Sequence, residues 1–245
     1  MLGPNVMFLK DSMKKMIVAS TSTLFGGSYL SYLKEELKEL YRGVEEIVFV
    51  PYARPSGISW DEYTKIASNF FKSLGISVKG IHEFEDLEKG IHSARGIFVG
   101  GGNTFVLVKK LQETGLMTLI ANRVEQGTPY LGTSAGSNIC GPSMKTTNDM
   151  PIVMPPSFDC MNLIPFGINA HFLDADPDSK HKGETRDTRI KEYHIYNKDI
   201  IIGLREGSWL AVYGNKIQLK GDLSAKVFKP GEMPFELETE SFLNF

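Results

Sequence analysis

Cysteine is scarce in this chain of 245 residues: the two present, Cys140 and Cys160, both sit among apolar neighbours. Such a pair offers neither a disulfide framework nor a four-ligand zinc site, and it reads as two reduced core thiols of a cytoplasmic protein. An excess of one charge is missing too. Lys and Arg number 27 against 29 Asp and Glu, so a formal net charge of −2 leaves no global basic footprint for nucleic acid. No apolar run approaches the ~20 residues of a membrane span, and the N-terminus lacks the apolar segment of a secretory leader. No long repeat or low-complexity tract is visible. What remains is a 42% hydrophobic chain long enough to bury one sizeable core. Residues 1–12 read as an extension of non-native or alternative-start origin, because the first strand-like run follows Met13-Lys14-Lys15. Residues 13–245 read as a single α/β domain with no linker to divide it.

Periodicity then orders the chain. Met16–Ser20, Glu46–Pro51, Ile76–Ile81 and Gly96–Val99 are short apolar runs of strand type. Between them, Tyr29, Leu30, Leu33, Leu37 and Leu40 recur at helical spacing. Ser59 with Glu62 forms a capping-box signature ahead of the amphipathic stretch Trp60–Leu74, which stops at Gly75. Two further helical segments, 105–111 and 116–124, precede the apolar run Pro129-Tyr130-Leu131. Strands alternating with helices predict a mostly parallel sheet covered on both faces, with sites at the carboxyl ends of its strands. Further on, Leu163–Phe172 is strand-like and Asp174–Thr185 is a charged loop. Ile200–Val212 reads as strand, tight turn and strand, and Gly214-Asn215 as a hairpin turn before Lys216–Lys220, so the tail is expected to be antiparallel.

The chemistry centres on Gly132-Thr133-Ser134-Ala135-Gly136-Ser137-Asn138. A G-x-S-x-G turn between strand and helix pushes one hydroxyl into the open, the arrangement of a nucleophile. Serine at neutral pH needs a base, a group to orient that base, and donors for the oxyanion. Of five histidines, His171 ends an apolar run that opens into polar loop. His82, His92, His181 and His194 read as solvated or capping residues. Asp149, in the polar run after the elbow, and Glu206, at a turn between apolar strands, are both workable acids, because a triad is defined by geometry and not by chain order. Gly100-Gly101-Gly102 offers three unobstructed N–H groups beside that of Ala135. A phosphate cradle is the rival reading of this loop, but the P-loop lysine and the closing glycine of the dinucleotide motif are absent. Asp174-Ala175-Asp176-Pro177-Asp178 mimics the start of a calcium loop, yet Ser179 and Thr185 stand where Gly and Glu are needed, leaving a solvated acidic loop and no metal site.

Four motifs in order carry a family resemblance: Gly-Gly-Gly-Asn-Thr-Phe from Gly100, Ser-Ala-Gly-Ser-Asn from Ser134, Thr-Thr-Asn-Asp-Met-Pro-Ile from Thr146, and Gly-Glu-Thr-Arg from Gly183. From about Met13 to the C-terminus the sequence resembles the S51 serine peptidases of the peptidase E, or α-aspartyl dipeptidase, type. The resemblance implies a flavodoxin-like α/β fold akin to class I glutamine amidotransferases, no cofactor, a homodimer, and hydrolysis of small peptides with an N-terminal aspartate. It implies Ser134 as nucleophile, His171 as general base, and Gly102 and Ala135 as oxyanion donors. For the third member it offers Asp149 and Glu206, of which Asp149 is favoured because its motif is intact. Asn103 and Arg186 become substrate-binding candidates, the guanidinium suiting a bidentate grip on the aspartyl carboxylate. Two departures stand out: the family's Gln-Ile-Asn-Pro-His before the base is here Gly167-Ile168-Asn169-Ala170-His171, and its Cys-Pro-Thr after the elbow is spread as Cys140-Gly141-Pro142-Ser143. The alternatives are another S51-type substrate, such as cyanophycin-like material, or a binding homologue that has lost turnover.

Overall fold

The computed structural model describes residues 12–176, 178, 180 and 182–243. Most of the expected N-terminal extension, Ser179 of the calcium-like run and His181 lie outside the described residues.

Five apolar runs pair in parallel: β1 (Lys15–Ala19), β2 (Glu46–Val50), β3 (Ser77–Gly80), β4 (Ile97–Val99) and β5 (Tyr130–Thr133). With the antiparallel β8 (Ser208–Tyr213) and β9 (Lys216–Gly221) they form a seven-stranded sheet ordered β3-β2-β4-β5-β1-β8-β9. Strands β1, β2, β4 and β5 read as nearly unbroken apolar runs because both of their faces are buried. Along β1, Met16 and Val18 enter one core while Ile17 and Ala19 enter the other, and β2 divides Val48 and Val50 from Ile47 and Phe49 in the same way. Helices α1 (Lys34–Leu40) and α2 (Trp60–Lys72) cover one face through Leu37, Leu40, Tyr63, Ala67 and Phe71. Helices α3 (Leu87–Ser93), α4 (Thr104–Glu113) and α5 (Leu116–Glu125) cover the other through Ile91, Leu107, Leu111, Ile120 and Val124. The capping box forms as read: Ser59 Oγ accepts the Glu62 N–H at 3.1 Å, and the Glu62 carboxylate accepts the Ser59 N–H at 2.7 Å.

Two local readings change, and one helix, α3, has no counterpart among them. The stretch from Tyr29 begins as a 3-10 turn, Ser31–Leu33, and turns α-helical only at Lys34. Helix α3 gives no clear apolar period because Gly90 interrupts it. A Cβ there would lie 2.9 Å from Ile81 Cδ1 and from the Phe84 ring, so the close packing of the helix requires glycine. The strand-turn-strand at 200–212 is not a hairpin. Its first half, β7 (Ile201–Leu204), belongs to a second, four-stranded sheet, while its second half is β8 of the main sheet. The second sheet runs β11 (Phe235–Leu237), β10 (Ala225–Phe228), β7 and β6 (Gly167–Ala170), with β6 parallel to β7 and the rest antiparallel. Helix α7 (Arg186–Tyr196) closes it over a small cluster of Phe172, Ile190, Ile201 and Phe228. Among the described residues no helix is long and apolar enough to cross a membrane.

Candidate active site

The elbow forms where β5 ends. Ser134 takes φ 53° and ψ −110°, a conformation L-residues rarely adopt, and a short helix, α6 (Ala135–Asn138), follows at once. Both flanking glycines are sterically required. A Cβ on Gly132 would come within 2.5 Å of Gly136 O, and one on Gly136 within 2.1 Å of Val99 O. Strain of this kind persists only where its surroundings over-determine it. Here the Ser134 N–H donates to Ala19 O at 3.1 Å, and Tyr130 Oη donates to Gly136 O at 2.7 Å.

His171 and Glu206 come from the second sheet, just beyond β6 and β7. Ser134 Oγ lies 2.8 Å from His171 Nε2, and His171 Nδ1 lies 2.6 Å from Glu206 Oε1. With the ring proton on Nδ1, the hydroxyl donates to the imidazole and the imidazole donates to the carboxylate. His171 and Glu206 side chains are 39% and 46% exposed, so the row opens to solvent at the carboxyl ends of the main strands.

Asp149 stands elsewhere. Its Oδ2 accepts the Thr104 N–H at 2.7 Å, at the start of α4, and the Thr147 hydroxyl at 2.8 Å. Thr104 and Thr147 both meet the Asn138 amide, whose oxygen accepts from the Ala170 N–H at 3.4 Å, while Asn148 donates to Ala170 O at 2.9 Å. The Thr-Thr-Asn-Asp stretch therefore braces α4, α6 and the strand that ends at the base, and Glu206, not Asp149, is the carboxylate on the imidazole. Asn138, Thr104 and Thr147 belong to this support, and the intact motif was the signal that could have exposed it.

The glycine loop is more selective than its sequence implies. Gly100 N–H donates to Val50 O at 3.2 Å, and the buried Gly101 N–H to Tyr63 Oη at 3.0 Å. Among the described residues the N–H groups of Gly102 and Ala135 have no acceptor, so two of the four donors stay available. Gly102, at φ 145°, cannot be replaced without collision, since a Cβ would lie 2.2 Å from Ala53 O. Asn103 is occupied: its Oδ1 caps α4 at Val106 N–H, 3.1 Å away, and its amide donates to Met150 O at 2.9 Å.

Arg186, first residue of α7, lines a cavity of about 230 Å³ with Thr147, Asn148, Asp149, Asn169 and Arg189. Among the described residues no carboxylate lies within ion-pairing distance of its guanidinium. Burial lowers its pKa first and the neighbouring Arg189 charge adds to this, while Asp149 acts in the opposite sense. Of the departures from the family pattern, Gly167 and Ala170 both fall in β6. A Cβ on Gly167 would lie 2.7 Å from Ile201 Cδ1, and Ala170 supplies the N–H that Asn138 accepts, which a proline lacks.

The other histidines stay apart. His82 is half-buried and not solvated, with Nε2 2.8 Å from Asp61 Oδ1 and its ring against Trp60. His92 is exposed in the last turn of α3, and His194 Nε2 sits 3.0 Å from Asp199 O. Asp174, read as part of a solvated loop, pairs with Arg205 through two contacts of 2.8 and 2.9 Å. Both cysteines are free, and burial raises the Cys140 thiol to about 12.

Known proteins resemble this chain over nearly its whole length. A Streptomyces coelicolor protein named peptidase E is 42% identical over 229 residues, covering 94% of this chain and 93% of its own. A Drosophila melanogaster protein named "probable alpha-aspartyl dipeptidase" is 41% identical, covering 96% of this chain and 98% of its own. The crystal structure of a peptidase from an acI-B1 Actinobacterium superposes with a TM-score of 0.71 at 18% identity over 96% of this chain and 98% of its own, a likeness of fold. The model of peptidase family S51 matches residues 16–220, and the chain belongs to that family.

Proposed function

We propose that this peptidase cleaves small peptides after an N-terminal aspartate through an acyl-enzyme on Ser134. The single observation that carries the reading is the continuous row Glu206–His171–Ser134, with contacts of 2.6 and 2.8 Å. Ser134 Oγ attacks the scissile carbonyl as its proton passes to His171 Nε2, and Glu206 holds the imidazole by Nδ1–H and stabilises the imidazolium. The oxyanion develops toward the N–H groups of Gly102 and Ala135. Collapse breaks the C–N bond, with the His171 proton going to the leaving amine. Water then attacks the ester as it gives a proton to His171, and His171 returns that proton to Ser134 Oγ as the bond from Oγ to the aspartyl carbonyl carbon breaks. In this scheme Asp149 braces the site and Asn103 shapes its edge.

Arg186 is the residue we assign to the aspartyl carboxylate, because it is half-buried, without an ion-pair partner among the described residues, and flanked by hydrogen-bonding side chains. The name of the Drosophila relative fits that substrate. The reading also includes a homodimer and a cytoplasmic setting, the latter supported by the two unpaired cysteines. The test compares Asp- and Asn-p-nitroanilides. A desolvated cation left without its anion costs about 2–5 kcal/mol, so wild type is expected to prefer Asp by about 30-fold or more and Arg186→Met to lose most of that preference. Equal rates on both substrates in wild type would remove Arg186 from this role.

A further inference from the structure

We propose that Ser20, the first residue after β1, is a positioning residue that sets His171 against both Ser134 and Glu206; this rests on the acyl-serine reading above. Ser20 is fully buried and has no part in the chemistry itself. Its hydroxyl donates to Leu204 O at 2.7 Å, two residues before Glu206, and accepts the His171 N–H at 2.9 Å. Its own N–H donates to Ser208 O at 3.2 Å, two residues after Glu206. The preceding residue, Ala19, accepts the Ser134 N–H at 3.1 Å and the Ser137 hydroxyl at 2.6 Å. Two consecutive residues at one strand end thus hold the chain segments of all three members of the row.

Backbone strain gives this junction its meaning. Ser134 and His171 both lie at positive φ, 53° and 54°, where non-glycine residues need their surroundings to hold them. Each has its N–H fixed by the Ala19-Ser20 pair. A hydroxyl has a single proton, and Leu204 O takes it, so a lone pair of Ser20 Oγ is left facing His171 N–H. Leu204 O also accepts from Phe172 N–H at 3.1 Å, so it keeps a partner if Ser20 loses its hydroxyl. The His171 N–H does not. The loss falls on the residue whose ring must meet two partners at once, and His171 is then free to relax from its left-handed conformation.

The test uses Ser20→Ala and the near-isosteric Ser20→Cys, which keeps volume but hydrogen-bonds weakly. Active sites are titrated with a serine-directed phosphonate, and aspartyl-p-nitroanilide turnover is expressed per titrated site. Misplacement of a reacting group by a fraction of an ångström to about 1 Å lowers kcat by about 10- to 100-fold, and KM should stay within about twofold because substrate contacts are untouched. The low-field proton resonance of His171 Nδ1–H should shift or broaden in both variants. A purely packing role would be rescued by cysteine and would change only thermal stability. Wild-type kcat per titrated site with an unshifted resonance in either variant overturns the proposal. If the wild-type enzyme shows the resonance but cleaves no aspartyl substrate, the substrate reading falls, and the resonance in the two variants alone decides the role of Ser20.

Discussion

Ser134 follows β5 in the middle of the parallel stack, while His171 and Glu206 follow β6 and β7 of a four-stranded sheet around a much smaller cluster. The first region is built from near neighbours: a strand, two glycines that admit a tight bend, and a helix that starts on the next residue. The second depends on pairing between strands more than thirty residues apart, since Ala170 lies opposite Leu204 and so brings residue 171 beside residue 206. A nucleophile can be specified by seven consecutive letters, whereas a base and its acid need a register. Damage to each region should therefore differ in kind, abolishing the reaction in one and misdirecting it in the other.

The largest effect is expected at the elbow. Ser134→Ala should lower kcat by about 10⁴-fold or more, leaving binding and thermal stability near wild type, as single-turnover kinetics and calorimetry would report. A residual rate above that level would mean that the hydroxyl is not the nucleophile. Next comes the choice of acid. Glu206→Gln removes the charge that stabilises the imidazolium and should cost about 10²- to 10⁴-fold in kcat with little change in KM. Asp149→Asn should act differently, weakening the contact to Thr104 N–H and the start of α4 at about 1 kcal/mol of stability, with the smaller loss in kcat. If the two variants exchanged these effects, the carboxylate beside the imidazole in the fold would not be the one that works in turnover.

Why the sequence told one region from the other so unequally follows from the same residues. The strands β1, β2, β4 and β5, the capping box at Ser59 and the bend at Ser134 are all written in local spacing, and each forms close to where it was read. His171 was recognisable as a polar end to an apolar run. From the residues alone Glu206 and Asp149 were not ranked, because both are acids in turns, and their difference lies in what packs against them. Motif integrity pointed to Asp149, and the structure gives that motif a bracing part instead: Thr104, Asn138 and Thr147 all meet around it. The glycine triplet was similarly over-read. Tyr63, thirty-eight positions upstream on α2, takes the Gly101 N–H, and no local pattern announces that bond.

The last of these effects concerns Arg205, which precedes Glu206 and ties the turn to its surroundings. Its guanidinium reaches Asp174, three residues after the base, at 2.8 and 2.9 Å, Glu236 on β11 at 2.8 and 3.0 Å, and Ser224 O at 2.8 Å. The acids are about half exposed, 50% and 42%, so solvent screens the pairing and Arg205→Met should destabilise the protein by about 1–2 kcal/mol and not more. Hydrogen bonds from Arg205 hold both the Asp174 and the Glu236 carboxyl below their ordinary values. Groups shifted in that direction stabilise the fold fully above the unfolded carboxyl range and lose their contribution as pH falls through the depressed values. The melting-temperature gap between wild type and Arg205→Met should accordingly be widest near neutrality and close below about pH 4. A gap unchanged on acidification would mean that the guanidinium acts through packing on Phe172, whose ring centroid lies 5.6 Å away, and that charge has little part in tying the turn at Glu206 to the rest of the second sheet.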